Sequence, residues 1–328
     1  GTMRYLVIGG SGFIGSRLAK RLADRDQVVV FDTTRPAKCL DCQIPGFAKG
    51  DIRNCNEVLN LIRNHKPEVI YDLAAIVGVK EYIERPMDVI DTNVTGLLNV
   101  LKACLEAKSV KRIIFASTSE IYGKNPNVPW TETSDRVLGS TEVDRWSYST
   151  SKALCEHMLF AVYRKYSLPI VILRPFNVYG PRQKPMNVVP RNICRMLKGL
   201  RPIMYDDGSQ VRCFTFIDDV VDALVLAASS EKTVGRAINI GSTEAVAIRD
   251  LLELMTEILG SETHVEAIST REKWRDSYED IKTRIPEVTL AWKLLQWRAK
   301  TSLRDGLAIT IDWYKENPWF WEEFEEEQ

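Results

Sequence analysis

Apolar runs rich in valine and isoleucine alternate, through the first half of the chain, with longer stretches of helical period. Runs of this kind are typical of strands buried on both faces of a parallel sheet, and the stretches between them are long enough for crossover helices. The pattern therefore predicts a doubly wound parallel α/β sheet. The predicted strands are residues 5–8, 28–31, 69–73, 113–116 and 170–173, and the predicted helices are residues 13–22, 54–64, 87–107 and 148–166.

The rhythm changes after Arg174. Prolines follow at positions 175, 181, 185, 190 and 202, and regular alternation resumes only at Phe214. We therefore predict a first domain over residues 3–175 and a smaller mixed C-terminal domain over residues 176–328. Residues 214–229 and 237–240 again have helix and strand character, so parts of 214–240 are expected to return to the first domain.

Composition narrows the classes of partner. The 328 residues are 45% apolar, enough for a sizeable core, and 44 basic side chains balance 44 acidic ones. No net field therefore favours nucleic acid or a membrane surface. The start of the chain leads directly into a strand, and no apolar stretch approaches the roughly 20 residues of a membrane span, so we expect a cytoplasmic protein. The terminal acidic run, Glu322, Glu323 and residues 325–327, is interpreted as a solvated helix end.

Cysteine usage favours reduced thiols, because the seven cysteines are scattered through predicted helices and strands. Cys39 and Cys42 form the only CxxC pair, and the chain has three histidines. A closed zinc site needs four ligands with a second pair nearby. We therefore expect no metal site.

A glycine-rich turn joins the first predicted strand to the first helix. Gly10, Gly12 and Gly15 form a GxGxxG pattern, preceded by Gly9. Such glycines let the backbone approach a pyrophosphate at the helix N-terminus, and the strand-turn-helix setting is the one this fingerprint requires. The turn therefore predicts a dinucleotide site of the Rossmann type.

Asp32 closes the second strand about 20 residues further on, where a carboxylate accepts hydrogen bonds from the adenosine ribose and repels a 2′-phosphate. NAD is therefore favoured over NADP. Arg35 is close enough in sequence to accommodate the extra phosphate, which leaves NADP as the alternative. Asp51 follows a third short strand, and Leu73, Ala74 and Ala75 end the fourth strand.

Tyr148 and Lys152 are four residues apart, so a helix places both side chains on one face. An ammonium beside a phenol stabilises the phenolate, and a positive nicotinamide ring would add to this effect. Tyr148 could then act as a base. The segment Ser117, Thr118 and Ser119 ends the fifth strand, at the sheet edge where ligands of α/β proteins bind.

The segments GGSGFIG, LAA, TNVTGLLNVL, STSEIYG, YSTSK, RPFNVYGPR and GRAINIG occur in this order. In this the chain resembles the extended short-chain dehydrogenases, a family of nucleotide-sugar epimerases, dehydratases and decarboxylases, over nearly its whole length. The resemblance implies NAD, a nucleotide-sugar substrate with UDP favoured, and a homodimer formed through residues 87–107 and 148–166.

By the same resemblance, Thr118 bonds the sugar O4, Tyr148 takes its proton and Lys152 supports Tyr148. The implied catalytic set is Thr118, Ser119, Glu120, Tyr148 and Lys152. The implied cofactor contacts are Gly9, Gly12, Phe13, Ile14, Gly15, Asp32, Arg35, Asp51, Ile52, Leu73, Ala74, Ala75, Asn93, Tyr148 and Lys152. The implied substrate contacts are Asn177 and Arg212, which help to hold the nucleotide diphosphate, together with Tyr278 and Arg284. Arg212 departs from the family pattern, because Cys213 follows it where the family has an aspartate.

The identity of the reaction depends on the step after oxidation at C4. A 4-epimerase needs no further acid or base, whereas Glu120, two residues after Thr118, could move a proton at C5 as a 4,6-dehydratase or a decarboxylase requires. The segments around Glu120, Tyr148 and Arg284 are similar to UDP-glucuronate decarboxylases, where the arginine lies near the sugar carboxylate. Decarboxylation is the leading hypothesis, with 4-epimerase and 4,6-dehydratase as alternatives. A non-catalytic NAD-binding protein is disfavoured because Tyr148 and Lys152 are both present.

Overall fold

The computed structural model describes residues 2–35, 46–74, 79–261 and 264–324. Its centre is a seven-stranded parallel sheet in which the strand Arg236–Ile240 lies at one edge and Phe47–Lys49 at the other. The first six strands confirm the predicted doubly wound sheet. The strands of this sheet are β1 (Arg4–Ile8), β2 (Gln27–Asp32), β3 (Phe47–Lys49), β4 (Val69–Asp72), β5 (Arg112–Ala116), β6 (Ile170–Pro175) and β11 (Arg236–Ile240).

Helices cover both faces of the sheet and continue into the C-terminal part. They are α1 (Phe13–Ala23), α2 (Cys55–His65), α3 (Val79–Glu84), α4 (Pro86–Ile90), α5 (Gly96–Glu106), α6 (Arg145–Tyr166), α7 (Val188–Leu197), α8 (Ile217–Ala227), α9 (Ile248–Leu259), α10 (Thr270–Trp274), α11 (Thr289–Leu295) and α12 (Leu303–Glu316). Short 3₁₀ turns occur at Ser119–Tyr122, Glu231–Thr233, Arg275–Ser277 and Pro318–Phe320.

Alternation along the strands builds a core on each side of the sheet. In β1, Val7 packs into the cluster that includes Leu18 of α1, whereas Leu6 and Ile8 pack into the cluster that includes Leu97 of α5. All of these side chains are fully or almost fully buried. The uninterrupted apolar runs of the sequence follow from this burial on both faces.

The predicted continuous helix over residues 87–107 is wrong in detail. Asp91–Thr95 forms a π-helical turn between α4 and α5. The buried side chain of Asn93 lies in this turn and donates to Ser151 Oγ at 3.0 Å. The extra residue of the wider turn does not alter the helical period enough to be visible in the sequence.

The C-terminal part carries three small two-stranded sheets of mixed direction. They pair β7 (Val178–Tyr179) with β10 (Thr215–Phe216), β8 (Ile203–Tyr205) with β13 (Glu266–Ile268), and β9 (Val211–Cys213) with β12 (Ala245–Ala247), the last pair antiparallel. β11 pairs with β6, so this stretch of the later sequence lies in the main sheet. The division at residue 175 stays a prediction. Within the described ranges, no helix is both long and apolar enough to cross a membrane.

Candidate active site

The turn between β1 and α1 brings backbone segments close together. Gly9 has a φ of +77°, and a Cβ there would lie 2.8 Å from the backbone nitrogen of Ala74. A Cβ at Gly15 would overlap the carbonyl oxygen of Gly9. Gly12 directly precedes α1, whose first turn has no acidic side chain. The glycines therefore leave the free N–H groups of the helix start open to an anion such as a pyrophosphate.

Carboxylates follow this turn around the rim of the same cavity. Asp32 accepts from Ser11 N at 3.1 Å and from Thr33 N at 2.7 Å, which fixes its orientation at the end of β2. Asp51 pairs with Arg53 at 2.7 Å, and this hydrogen bond lowers the pKa of Asp51. Asp32 keeps a carboxylate at the position where the fold places an adenosine ribose.

A single cavity of about 1220 Å³ runs from the glycine turn into the C-terminal part. It brings together most of the residues that the sequence singles out. The predicted cofactor residues along its wall are Gly9, Gly12, Phe13, Ile14, Gly15, Asp32, Arg35, Asp51, Ile52, Leu73, Ala74, Tyr148 and Lys152. The other predicted residues along it are Thr118, Ser119, Glu120, Asn177, Arg212, Tyr278 and Arg284. Ala75, Cys39, Cys42 and residues 325–327 lie outside the described residues, and Asn93 points into the core rather than to this wall.

Tyr148 and Lys152 lie one turn apart on α6, as their spacing predicts. Lys152 is 2% exposed and donates from Nζ to the carbonyl oxygen of Ala116 at 2.9 Å. Burial lowers the pKa of Lys152. Burial and the charge of Glu120 raise the pKa of Tyr148, against a hydrogen bond with Thr118 that lowers it. Burial is the largest of these effects, and the joint action of Lys152 and a positive nicotinamide ring on the phenolate of Tyr148 stays a prediction.

Glu120 follows the end of β5 and is 7% exposed. Its backbone nitrogen donates to Thr118 Oγ1 at 3.1 Å, which orders the 3₁₀ turn that carries it. Arg145 Nη2 donates to its two oxygens at 2.9 and 3.2 Å, and Arg284 Nη2 donates to Oε1. Burial alone would raise the pKa of Glu120, but Arg145 and Arg284 lower it to about 2. Glu120 is therefore an ionised carboxylate.

A second acidic residue completes this group of charges. Arg212 Nη2 lies 3.5 Å from Asp280 and donates to the carbonyl oxygen of Ile281 at 2.6 Å. Burial, together with the charge of Arg284, lowers the pKa of Arg212 to about 10. Tyr278 donates to Asp280 at 2.8 Å. Three buried arginines thus surround two carboxylates, which leaves one positive charge in excess.

Asn177, the remaining predicted substrate residue, has a φ of +37° at the cavity wall. Its carbonyl oxygen accepts from Thr215 N at 3.0 Å, while its side-chain Oδ1 is buried without a partner in the described structure. The side chain therefore has an unused acceptor.

Sequence reasoning missed two residues of this site, Arg145 and Tyr82. Tyr82 of α3 stacks on Tyr148 with ring centroids 5.3 Å apart and an interplanar angle of 16°. It is 4% exposed and lines the cavity. The position of Arg145, three residues before Tyr148, was a usable signal, because that spacing places both on one helix face. No comparable signal marks Tyr82.

The glycine turn, the oriented Asp32 and the Tyr148–Lys152 pair fit NAD, and they define an NAD-binding enzyme of the short-chain dehydrogenase class. The model of the NAD dependent epimerase/dehydratase family matches residues 5–241, and the chain belongs to this family. This confirms the predicted family and cofactor.

The chain is also similar to individual proteins of known activity. The chain is 38% identical over 322 residues to the UDP-N-acetyl-alpha-D-glucosaminuronate decarboxylase of Bacillus cytotoxicus, covering 95% of this chain and 98% of that one. Its fold is similar to UDP-glucose 4-epimerase of Thermotoga maritima with UDP-glucose (30% identity, 96% and 100% coverage, TM-score 0.88). It is also similar to UDP-glucuronic acid 4-epimerase of Bacillus cereus in complex with UDP-glucuronic acid and NAD (30% identity, 96% and 99% coverage, TM-score 0.84).

Proposed function

We propose that this enzyme oxidises C4 of a UDP-linked uronate and releases the uronate carboxylate as carbon dioxide. The observation that carries the proposal is the excess of one buried positive charge among Arg145, Arg212 and Arg284, beside Tyr148. A buried charge without a counter-ion is unfavourable, so the site favours a ligand with an additional negative group. The similarity to a decarboxylase of a UDP-linked uronate supports the same substrate class.

The residues that would act at C4 lie together at the end of β5. Thr118 and Tyr148 share a hydrogen bond, and we propose that both contact the O4 hydroxyl of the sugar. Tyr148 takes the hydroxyl proton as general base. When bound, NAD supplies the acceptor for the C4 hydride and a positive ring that favours the phenolate of Tyr148. Lys152 holds the helix face on which Tyr148 lies against the end of β5 through its hydrogen bond to Ala116 O.

Loss of the carboxylate follows from the chemistry of the oxidised sugar. With a ketone at C4, the carboxylate on C5 belongs to a β-keto acid. The bond between C5 and the carboxyl carbon breaks, carbon dioxide leaves, and the electron pair moves to the C4 oxygen as an enolate. A proton from solvent then adds at C5. Return of the hydride to C4 and of the Tyr148 proton to O4 gives a UDP-pentose. Orientation and electrostatic stabilisation are the contributions required of the protein.

A uronate 4-epimerase is the second candidate, because a structure of such an enzyme with UDP-glucuronic acid and NAD is similar over 96% of this chain. That reaction keeps the carboxylate and needs only that the keto sugar turn over before the hydride returns. A 4,6-dehydratase is disfavoured, since its neutral hexose has no carboxylate to pair with the excess positive charge beside Tyr148.

Product analysis separates these candidates. The NAD-loaded enzyme is incubated with UDP-glucuronate, with its 2-acetamido analogue and with UDP-glucose, and products are identified by mass spectrometry. We expect carbon dioxide and a UDP-pentose, or its 2-acetamido counterpart, from one of the two uronates. An isomer of unchanged mass would support the epimerase, and loss of water from UDP-glucose would support the dehydratase.

We also propose a cytoplasmic homodimer. Large apolar side chains project from the outer faces of the helices that the resemblance assigns to the interface: Met87 is 74% exposed, Leu98 41%, Leu105 37% and Leu154 47%. They lie on α4, α5 and α6, and exposed apolar side chains on neighbouring helices are typical of interaction sites. The cytoplasmic location is supported by the free thiols of Cys55, Cys104, Cys155, Cys194 and Cys213.

A further inference from the structure

The side chain of Arg145 is fixed in place by its contacts with Glu120 and with two aromatic rings. It is the first residue of α6, is 1% exposed, and gives one nitrogen to both carboxylate oxygens. Its guanidinium carbon lies 4.7 Å from the ring centre of Tyr278 and 5.7 Å from that of Trp146. A cation in the first turn of a helix faces the positive end of the helix dipole. Glu120 offsets that repulsion, so Arg145 has little freedom to leave it.

Arg284 is attached to Glu120 in a different way. It lies between the single bridge residues Thr283 and Pro286, in a stretch without helix or extended strand, and its backbone nitrogen donates to Val211 O at 2.9 Å. Among the described residues, the one hydrogen-bond acceptor of its side chain is Oε1 of Glu120. Its Nε is buried and has no hydrogen-bond partner in the described structure.

Donors exceed acceptors in this cluster. Besides Nε of Arg284, Nε and Nη1 of Arg145 are buried without a partner among the described residues. Arg212 cannot replace either arginine, because its nitrogens donate to the carbonyl oxygens of Val211 and Ile281 and face Asp280. Two guanidinium groups therefore share one carboxylate, which leaves room for a second.

We infer that Arg145 is a positioning residue that retains Glu120 while Arg284 transfers to the carboxylate of the incoming uronate. The inference rests on the proposed function. Each of the two carboxylates then has its own arginine, and Glu120 stays an anion beside Tyr148. Without Arg145, arrival of a second carboxylate would leave Glu120 buried and unpaired, and Glu120 would take up a proton instead.

The charged and titratable groups that face Glu120 come from every element around it. Arg145 and Tyr148 belong to α6, Arg212 to β9, Tyr82 to α3, and Arg284 to the segment before α11. The three arginines lower the pKa of Glu120 against the effect of burial. Loss of one arginine to the substrate and of another to mutation leaves Arg212 alone to oppose the effect of burial, so that pKa rises.

The test is proton uptake on binding. The parent, Arg145→Met and Arg145→Lys are loaded with NADH, which cannot accept the C4 hydride and so prevents turnover. Each is titrated near neutral pH with UDP-glucuronate, its 2-acetamido analogue and UDP-glucose. Calorimetry in buffers of different ionisation enthalpy gives the number of protons taken up. The parent and Arg145→Lys are expected to bind the uronate with no uptake. Arg145→Met is expected to take up about one proton when it binds a uronate and none when it binds UDP-glucose.

Two further variants make the result specific. Glu120→Gln combined with Arg145→Met should abolish the uptake, because Glu120 is the group proposed to be protonated. Arg112→Met removes a buried arginine at the opposite end of β5, where it bonds Ala227 O and Ser230 O. This control variant should bind the uronate without proton uptake. We also expect Arg145→Met to lower kcat about tenfold or more, and Arg145→Lys to recover part of the loss. If Arg145→Met does not fold, Arg145→Gln takes its place with the same expectation.

The possible outcomes separate the inference from the proposed function. If the parent decarboxylates a uronate but Arg145→Met binds that uronate without proton uptake, the role of Arg145 is overturned and the proposed reaction still holds. A parent that binds neither uronate more tightly than UDP-glucose overturns the substrate class, and the inference with it. Uptake that persists in the double variant shows that another group is protonated and also overturns the inference.

Discussion

Replacing Arg284 by alanine tests the substrate class most directly. Arg284 is 7% exposed, lines the cavity and contacts Glu120 in the ligand-free protein. A charge-assisted hydrogen bond between a guanidinium and a carboxylate contributes about 1.5 to 3 kcal/mol. At 1.4 kcal/mol for each factor of ten, its loss corresponds to about ten- to a hundredfold in Kd.

The structure favours the lower part of that range. To bind a uronate, Arg284 exchanges the carboxylate of Glu120 for that of the substrate, so the gain is a difference between two similar pairs. We therefore expect Arg284→Ala to weaken the binding of UDP-glucuronate or its 2-acetamido analogue about tenfold. UDP-glucose has no carboxylate, and its affinity should change little.

Calorimetric titration of the NADH-loaded protein, in which the C4 hydride has no acceptor and turnover is blocked, measures both affinities. Arg304→Ala is the matched control, because Arg304 forms an exposed pair with Glu257 at 3.3 Å. Arg284→Lys should recover part of the affinity, as it retains the charge but not the fork of donors. Equal weakening of uronate and neutral ligand would show that Arg284 shapes the cavity without reading the carboxylate, and the reasoning would fail.

Four further outcomes are expected. Tyr148→Phe should retain its fold and NAD binding but lose about a hundredfold or more in turnover; NADH formation by substrate near the parent rate would refute its role as base. Asp32→Ala should reduce the preference for NAD over NADP in paired titrations, and a parent that binds NADP as tightly would show that Arg35 dominates. Leu154→Glu should lower the mass measured by light scattering from that of a dimer to that of a monomer, whereas Leu200→Glu, at another exposed leucine, should leave it unchanged. Equal masses for both variants would contradict the proposed interface. The pKa of Glu120 falls from 4.5 to about 2 on folding, so its contribution to stability is present above about pH 4.5 and is lost as the pH falls towards 2. In denaturant titrations, Glu120→Gln should therefore lose less free energy of unfolding than the parent over that pH interval.

The main sheet could be predicted because each of its early strands is a short apolar run bounded by turn residues. Val69–Asp72 is buried at every position, which is why it reads as an uninterrupted run rather than as an alternation. The glycine turn could be predicted for the same local reason, since Gly9 and Gly15 allow close backbone approaches that other residues would block.

The cluster around Glu120 could not be derived from the residues alone, because its members are distant in sequence. Arg284 and Glu120 are separated by 164 positions, and Arg145 by 25 from Glu120. Resemblance identified Arg284 and Glu120 individually but not their pairing. Resemblance also left the pKa of Tyr148 unresolved, because burial depends on α3 and on the stacked ring of Tyr82.

The alignment of Thr118 with Tyr148 depends on a buried network below the cavity. Glu156 lies one turn after Lys152 on α6, accepts from Ser117 Oγ at 2.6 Å, and pairs through both oxygens with Arg174 of β6 at 2.6 and 3.1 Å. Ser117 directly precedes Thr118, so one carboxylate connects the end of β5 to the helix that carries the base. Removing one partner of a buried ion pair leaves an uncompensated charge, and such changes typically destabilise a protein by about 3 to 5 kcal/mol. The spacing of Tyr148 and Lys152 can place them on one face of a helix. Glu156 and Arg174 hold that face against the end of β5 that leads to Thr118, in addition to the bond from Lys152 to Ala116 O, and neither lines the cavity wall as described.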